Sequence, residues 1–256
     1  MAKQAVFINP IGCLLSESGN VSAEYYEAIY QISQYVLRGV LGEGPLIYIF
    51  TEENQSFAEV LCHFLGIVNY PVIIEDGAFL FNPTTKQKEA HPALNYSVRK
   101  NFEKIKRKII IPFLEEYPSL CLRSDKSAGF VLEKQESALS TESVYRKLRE
   151  ELRKRILRER IKIYFSKNRI YINPPGINKG AGLKFLAERE NIDLKNSLTI
   201  GIGREDISCF RQTGIVGCPS NADEKCRFFV KKKRGMVSLK SFALGTLDVI
   251  SYYFGQ

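Results

Sequence analysis

The sequence predicts a two-domain α/β protein whose larger domain is a parallel β-sheet interrupted by an inserted α+β domain. Short apolar runs alternate with helical patterns over residues 5–81 and again over 179–253, which is the rhythm of a parallel sheet covered by helices. The segment between these halves is strongly basic and has a different, hairpin-rich pattern. We therefore expect a Rossmann-like core domain at 1–82 and 177–256, and an inserted α/β domain at 83–176.

The elements of the first half follow from apolar periodicity and from the residues that begin or end helices. Ser22 is expected to cap a helix that carries its apolar residues, among them Ile29, Ile32 and Val36, on one face. The other predicted elements are buried strands at 5–8 and 46–50, a helix at 54–65 ended by Gly66, and a strand at 71–75 that Asp76-Gly77 turns into a hairpin.

The inserted segment and the second half are predicted in the same way. In the insert, Val144, Leu148, Leu152 and Ile156 recur every four residues, which indicates a helix that starts near Glu142. Its other elements are a helix at 102–116, a strand at 129–134, and two strands on either side of the turn at 166–168. The second half is predicted as a helix at 179–189, a strand at 197–203, a helix at 206–212, a strand at 215–218, a short helix at 222–226, a strand at 228–230 and a helix at 240–253.

The positive charge of the chain is concentrated in the insert. The formal net charge is +9, and residues 144–169 hold eleven Lys or Arg against three Glu, a net charge of +8. Two interpretations stay open: a solvated helix surface, or a contact surface for an anionic partner such as nucleic acid or a polyanionic protein.

Several protein classes are disfavoured by composition. The sequence contains no run of 18 apolar residues that would predict a membrane span, and its first residues lack the pattern of a signal peptide. We therefore expect a cytoplasmic protein without membrane contact. The cysteines form no CxxC pair, and His63 and His91 lie far from any cysteine cluster, which disfavours a zinc site and favours reduced thiols.

Six short motifs occur at predicted strand ends or helix starts. They are Asn9–Leu15 after the first strand, Thr51 after the second, Asp76-Gly77-Ala78, Asn178–Leu183, Gly201–Asp206 and Asn221-Ala222. Their order and spacing resemble the haloacid dehalogenase superfamily, in the branch of Cof-like, sucrose-phosphate and mannosyl-phosphoglycerate phosphatases. The resemblance covers most of the chain outside the insert.

This resemblance implies a phosphatase core, a cap formed by the insert, and a Mg²⁺ cofactor. It also assigns phosphate-binding roles to Thr51, Lys179 and Asn221. The family reaction passes a phosphoryl group to an aspartate and then to water, with a second acid two residues along the chain as proton donor and acceptor.

The catalytic positions of the motifs depart from this pattern. Asn9 stands at the nucleophile position and Ile11 at the acid–base position, so no catalytic residue is intact. Pro10 has no backbone N–H, which blocks conversion of Asn9 to aspartate through a succinimide. Ile202 replaces one acid on the metal side, which leaves Asp206 as the surviving candidate ligand.

The sequence therefore supports three functional hypotheses. The first is a phosphatase homologue with impaired or absent activity that binds a phosphorylated small molecule or a protein partner. The second is an active Mg²⁺-dependent sugar-phosphate phosphatase with a rearranged site around Asp206. The third is a protein that binds a polyanion through the basic residues 144–169.

Overall fold

The chain forms two compact units in a computed structural model. The structure describes residues 3–16, 22–123, 125–135, 140–158 and 160–255. Glu159, one of the three acidic residues counted in the basic segment, lies outside the described residues. The first unit comprises Met1–Glu89 and Asn178–Gln256, and the second comprises Ala90–Ile177.

The secondary structure alternates strands and helices along the chain. The strands are β1 Ala5–Ile8, β2 Leu46–Ile49, β3 Val72–Ile74, β4 Phe79–Phe81, β5 Lys88–Ala90, β6 Leu120–Leu122, β7 Phe130–Lys134, β8 Lys162–Ser166, β9 Arg169–Asn173, β10 Leu198–Ile200, β11 Ile215–Cys218 and β12 Met236–Val237. The α-helices are α1 Pro10–Cys13, α2 Ala23–Val40, α3 Gln55–Leu65, α4 Tyr96–Ile105, α5 Ile111–Glu116, α6 Thr141–Glu151, α7 Arg153–Leu157, α8 Lys179–Glu190, α9 Ile207–Phe210, α10 Glu224–Lys232 and α11 Phe242–Phe254. In the described part of the chain, no helix has both the length and the apolar character needed to cross a membrane.

The first unit is built on a parallel sheet, which confirms the predicted fold class. Within the described residues its strands follow the order β12-β11-β10-β1-β2, and every neighbouring pair is parallel. All four residues of β1 are fully buried, because helices cover both faces of the sheet. The carboxyl ends of β1, β2 and β10 meet at one edge, which brings the loops that follow these strands together.

The hairpin predicted around Asp76-Gly77 is present, whereas one predicted strand is wrong. β3 and β4 pair in antiparallel fashion through the short 3₁₀ turn Glu75–Gly77. Residues 228–230, which we predicted as a strand, lie inside α10. Asp223 caps this helix through the Cys226 amide, and Cys226 and Val230, four residues apart, form its buried face.

The second unit is an antiparallel sheet that is packed against helices. Its strands follow the order β6-β7-β9-β8. A core of its own joins the sheet to α4, α5 and α6 through residues such as Phe102, Leu132 and Leu148. The predicted helix from Glu142 is present but is interrupted at Leu152, where α6 ends and α7 begins.

Candidate functional site

The candidate site lies at the carboxyl edge of the parallel sheet, where Asn9, Thr51 and Gly201 follow three adjacent strands. The Asn9 backbone N–H donates to the Ile200 carbonyl at 3.0 Å, which ties the loop after β1 to the end of β10. The side chain of Asn9 caps the short helix α1 by accepting from the Ile11 amide. Lys179 reaches the same place from the first residue of α8, which Asn178 caps.

The Asp206 carboxylate is the centre of the site, and nitrogen donors surround it. Its Oδ1 accepts from Lys179 Nζ at 3.0 Å and from Asn9 Nδ2 at 3.1 Å. Its Oδ2 accepts from Asn9 Nδ2 at 3.0 Å and from the amides of Ile202 and Gly203 at 2.9 and 3.1 Å. A carboxylate offers about four lone-pair directions, so these five contacts use its whole accepting capacity.

Lys179 is buried between two carboxylates. Its Nζ lies 2.8 Å from Glu52 Oε2 and 3.0 Å from Asp206 Oδ1, and its side chain is 1% exposed. Burial opposes the charged form, but the charges of Asp206 and Glu52 outweigh it and raise the pKa of the Lys179 ammonium well above its usual value. Lys179 is therefore a fixed cation that balances acidic neighbours.

Ile11 and Ile202, which stand at two positions matched to motif acids, have different surroundings. Ile202 packs over the loop after β1, because a methyl group added at Gly12 would overlap its Cδ1 atom. Gly12 has a φ of +77°, a backbone conformation that glycine adopts without strain, and its lack of a side chain leaves room for the Ile202 Cδ1 atom. Ile11 is half-buried beside it. Neither side chain can carry a proton, and Ile202 adds apolar surface where the motif has an acid.

The other predicted phosphate-binding residues hold the loops in place. The Thr51 hydroxyl accepts from the Glu53 amide at 3.1 Å, and its side chain is fully buried. Asn221 donates to the Gly12 carbonyl at 2.9 Å and accepts from the Phe242 amide at 2.8 Å, so both ends of its amide are used. The structure thus brings Asn9, Lys179 and Asp206 into direct contact, while the hydrogen bonds described for Thr51 and Asn221 are made within the surrounding loops.

Two acidic residues of the site were not predicted from the sequence. Glu52 directly follows the strand-end residue Thr51 and forms the second ion pair of Lys179. Glu205 directly precedes Asp206; burial, with the neighbouring charge of Asp206, raises the pKa of Glu205 to about 7. Both adjoin motif positions, and this adjacency was the signal available in the sequence.

The donor set of the site does not fit a Mg²⁺ ion. Magnesium takes oxygen ligands in octahedral geometry at about 2.0–2.1 Å. Here the surviving acid is surrounded by an ammonium, an amide NH₂ group and two backbone N–H groups, all of which repel a cation. Among the described residues, no group of three or more His, Cys, Asp or Glu side chains has a metal-binding arrangement.

Comparisons with known proteins show what this chain is similar to. A family model of haloacid dehalogenase-like hydrolases matches residues 115–232. A phosphoglycolate phosphatase of Methanobrevibacter smithii is 26% identical over 95 residues, which is 37% of this chain and 39% of that protein. A second one, from Methanosarcina acetivorans, is 29% identical over 87 residues, which is 34% of this chain and 37% of that protein. The matched segments thus span about two fifths of the length of these curated relatives.

Solved structures share the fold over nearly the whole chain. A Thermoplasma acidophilum protein superposes with a TM-score of 0.71 at 19% identity and covers 99% of both chains. The sucrose-phosphatase of Synechocystis, solved with sucrose and phosphate, also has a TM-score of 0.71, at 16% identity over 100% of both chains. The chain is thus similar to haloacid dehalogenase-like hydrolases over residues 115–232, and it shares its fold with these solved structures.

Proposed function

We propose that this chain is a phosphatase-family protein that does not transfer phosphoryl groups and acts by binding. The observation that carries the proposal is the saturation of Asp206 by Asn9, Lys179 and two backbone amides. A carboxylate in this state has no lone pair free for a metal ion. The site therefore lacks the ligand that would hold an ion to neutralise phosphate charge.

The side chains at the catalytic positions support the same proposal. The Asn9 amide is a poor nucleophile, and its NH₂ group is committed to Asp206 at 3.0 and 3.1 Å. Ile11 cannot move a proton, and general acid–base help is typically worth about 10²–10⁴ in rate. Cys13, on the described loop beside Asn9, does not take over this role, because its thiol is buried and burial raises its pKa.

The ligand that we propose for this site is a phosphorylated small molecule. Lys179 supplies the cation, and Thr51 and Asn221 are the neighbouring polar side chains. A phosphate would have to take the place of Glu52 beside the Lys179 ammonium, because that contact at 2.8 Å is the more exposed of its two ion pairs. The named relatives act on phosphoglycolate, so phosphoglycolate is a reasonable first probe.

A phosphatase assay with a thermal-shift arm tests this proposal. The protein is incubated with Mg²⁺ and either para-nitrophenyl phosphate or phosphoglycolate, and released phosphate is measured beside the isosteric variant Thr51→Val. We expect the same background rate for both proteins, and a higher melting temperature of the natural protein with phosphoglycolate in the absence of metal. Turnover that needs Mg²⁺ and disappears in T51V would instead support the active sugar-phosphate phosphatase that the sequence left open.

The triple variant N9D/I11D/I202D provides the complementary measurement. It returns the carboxylates that the family pattern has at these positions and leaves Lys179 and Asp206 in place. Mg²⁺-dependent turnover in this variant, beside none in the natural protein, is the result expected if only the acids were lost. A variant that folds and stays inactive would show that the cleft itself no longer accepts a phosphate ester.

A further inference from the structure

A recess in the second unit is lined almost entirely by cations. It lies between the end of α4 and the helix α7 with the loop that follows it, and its volume is about 170 Å³. Its polar lining residues are Asn101, Lys104, Lys154, Arg155, Arg158 and Arg160. Among the described residues, no carboxylate lines this recess. A second cavity of about 330 Å³ shares Asn101 and Arg160 and adds the Ser97 hydroxyl.

The fold holds these cations together through buried anchors on each segment. Ile105, which forms the apolar part of the lining, is 1% exposed and belongs to the core of this unit. Leu152 and Ile161 are 0% and 2% exposed, and they hold the two ends of the stretch 153–160 in the same core. The Arg160 amide donates to the Arg155 carbonyl at 2.9 Å, which folds the chain back against the end of α7.

Two arginines outside the recess, one on α6 and one on α7, have acidic partners. Arg146 is paired with Glu142 at 2.6 Å, and Arg153 with Glu150 at 3.9 Å. Within the part of the chain that the structure describes, no ion pair involves any of the five recess cations. Like charges held close together repel, so this arrangement favours an anion that neutralises several of them at once.

We infer that this recess is a binding site for a compact polyanion that carries two or more phosphate groups. The volume is well above the roughly 10–15 Å³ needed for one water molecule, so the recess has room for phosphate groups. Arg155, Arg158 and Arg160 each present a guanidinium group, which can donate two parallel hydrogen bonds to the oxygens of one phosphate group. Asn101 adds an amide donor.

The shape and lining favour a compact ligand over a nucleic acid strand. Proteins that bind single strands combine a basic groove with aromatic side chains on which bases stack. No aromatic side chain of the described residues lines either cavity, and the cations converge on a recess from two segments. The inference concerns the second unit only and does not rest on the function proposed for the first.

Calorimetric titration of the full-length protein with inorganic tripolyphosphate tests the inference. The recess variant is Arg155→Gln/Arg158→Gln. The control variant Arg146→Gln/Arg153→Gln removes the same two charges from nearby helix positions outside the recess. We expect the recess variant to bind at least about tenfold more weakly, and the control to stay within about twofold of the natural protein.

Three results would overturn the inference. One is the absence of tripolyphosphate binding at physiological ionic strength. Another is an equal loss of affinity in the two variants, which would mean a diffuse charge effect. The third is a single-stranded oligonucleotide that binds more tightly and that tripolyphosphate does not displace. If R155Q/R158Q does not fold, as judged by thermal unfolding, the pair Lys104→Gln/Arg160→Gln replaces it, with one change on each of the two segments that line the recess.

Discussion

At the scale of single residues, the network of Asn9, Lys179 and Asp206 is the feature on which the proposed lack of metal-dependent phosphatase activity depends. The Asn9 NH₂ group contacts both oxygens of Asp206, and Lys179 contacts one of them. All three residues are at most 2% exposed, so each donor offsets the cost of burying the carboxylate. The network therefore stabilises the folded loops. It also occupies the two Asp206 oxygens that would otherwise be available to a cation.

The substitution Asn9→Asp tests this network directly. It places a second carboxylate against Asp206, where the amide now donates at 3.0 and 3.1 Å. We expect the free energy of unfolding to fall by on the order of 2–4 kcal/mol at neutral pH, because two buried like charges meet. The new carboxyl has a pKa raised above the unfolded value of about 3.9, so the loss shrinks as the pH falls toward 4.

Magnesium distinguishes this effect from simple disruption. In Asn9→Asp, Mg²⁺ is expected to recover part of the lost melting temperature, because the ion neutralises the two carboxylates. The control Asn221→Asp changes another loop amide, which contacts Gly12 and Phe242, and we expect it to lose stability with no Mg²⁺ response. Equal recovery in both variants, or no loss in N9D, would contradict the role given to Asn9.

At the scale of elements, α8 positions Lys179 by packing closely against two neighbours. A side chain at Gly180 would overlap the Ser208 carbonyl, and one at Gly182 would lie 2.5 Å from the Gly77 Cα atom. The helix can approach α9 at Gly180 and the hairpin turn between β3 and β4 at Gly182 only because these positions lack a Cβ atom. The same approach brings Lys179 to Glu52 and Asp206.

Gly182→Ala tests this close packing. We expect a loss of about 1–3 kcal/mol in unfolding free energy, because the added methyl group must displace the turn backbone. The matched control is Gly44→Ala, where the added Cβ atom meets nothing within 4 Å and stability should stay within about 0.5 kcal/mol. Chemical denaturation measures both; equal stability of the two variants would show that α8 does not need the close approach.

At the scale of the whole molecule, the chain contains two units with different architectures and separate cores. The second unit has a core that includes Leu148, Leu132 and Phe130. The first unit has a parallel sheet, with Val216 of β11 in one of its apolar clusters. Because each core is contained in one unit, damage to one core should act first on the amides of that unit.

A pair of core truncations tests this independence by native-state hydrogen exchange. Leu148→Ala is expected to reduce protection in β7 and β9 by about 2–4 kcal/mol while β1 and β10 keep theirs. Val216→Ala is expected to do the reverse, with a smaller loss because it removes fewer buried carbon atoms than Leu148→Ala does. Uniform loss across both units in either variant would mean that the chain unfolds as a single cooperative body.

The errors and omissions of the sequence-based predictions have physical causes. The strand predicted at 228–230 is part of α10, because the cap at Asp223 and the contacts of Cys226 and Val230 outweigh the local strand propensity of three apolar residues. Glu52 was missed as a site residue because its position beside Thr51 does not by itself indicate the ion pair with Lys179, which is distant in the sequence.

What the sequence by itself determined was the parallel α/β fold, the hairpin after the third strand, and the absence of acidic side chains at positions 9, 11 and 202. These depend on periodicity, on turn residues and on the identity of single side chains, all of which are local. Only the tertiary structure decided that Asn9, Lys179 and two amides saturate Asp206, and that five cations converge on one recess. Such contacts join residues far apart in the chain, and they depend on the distances and directions that packing sets.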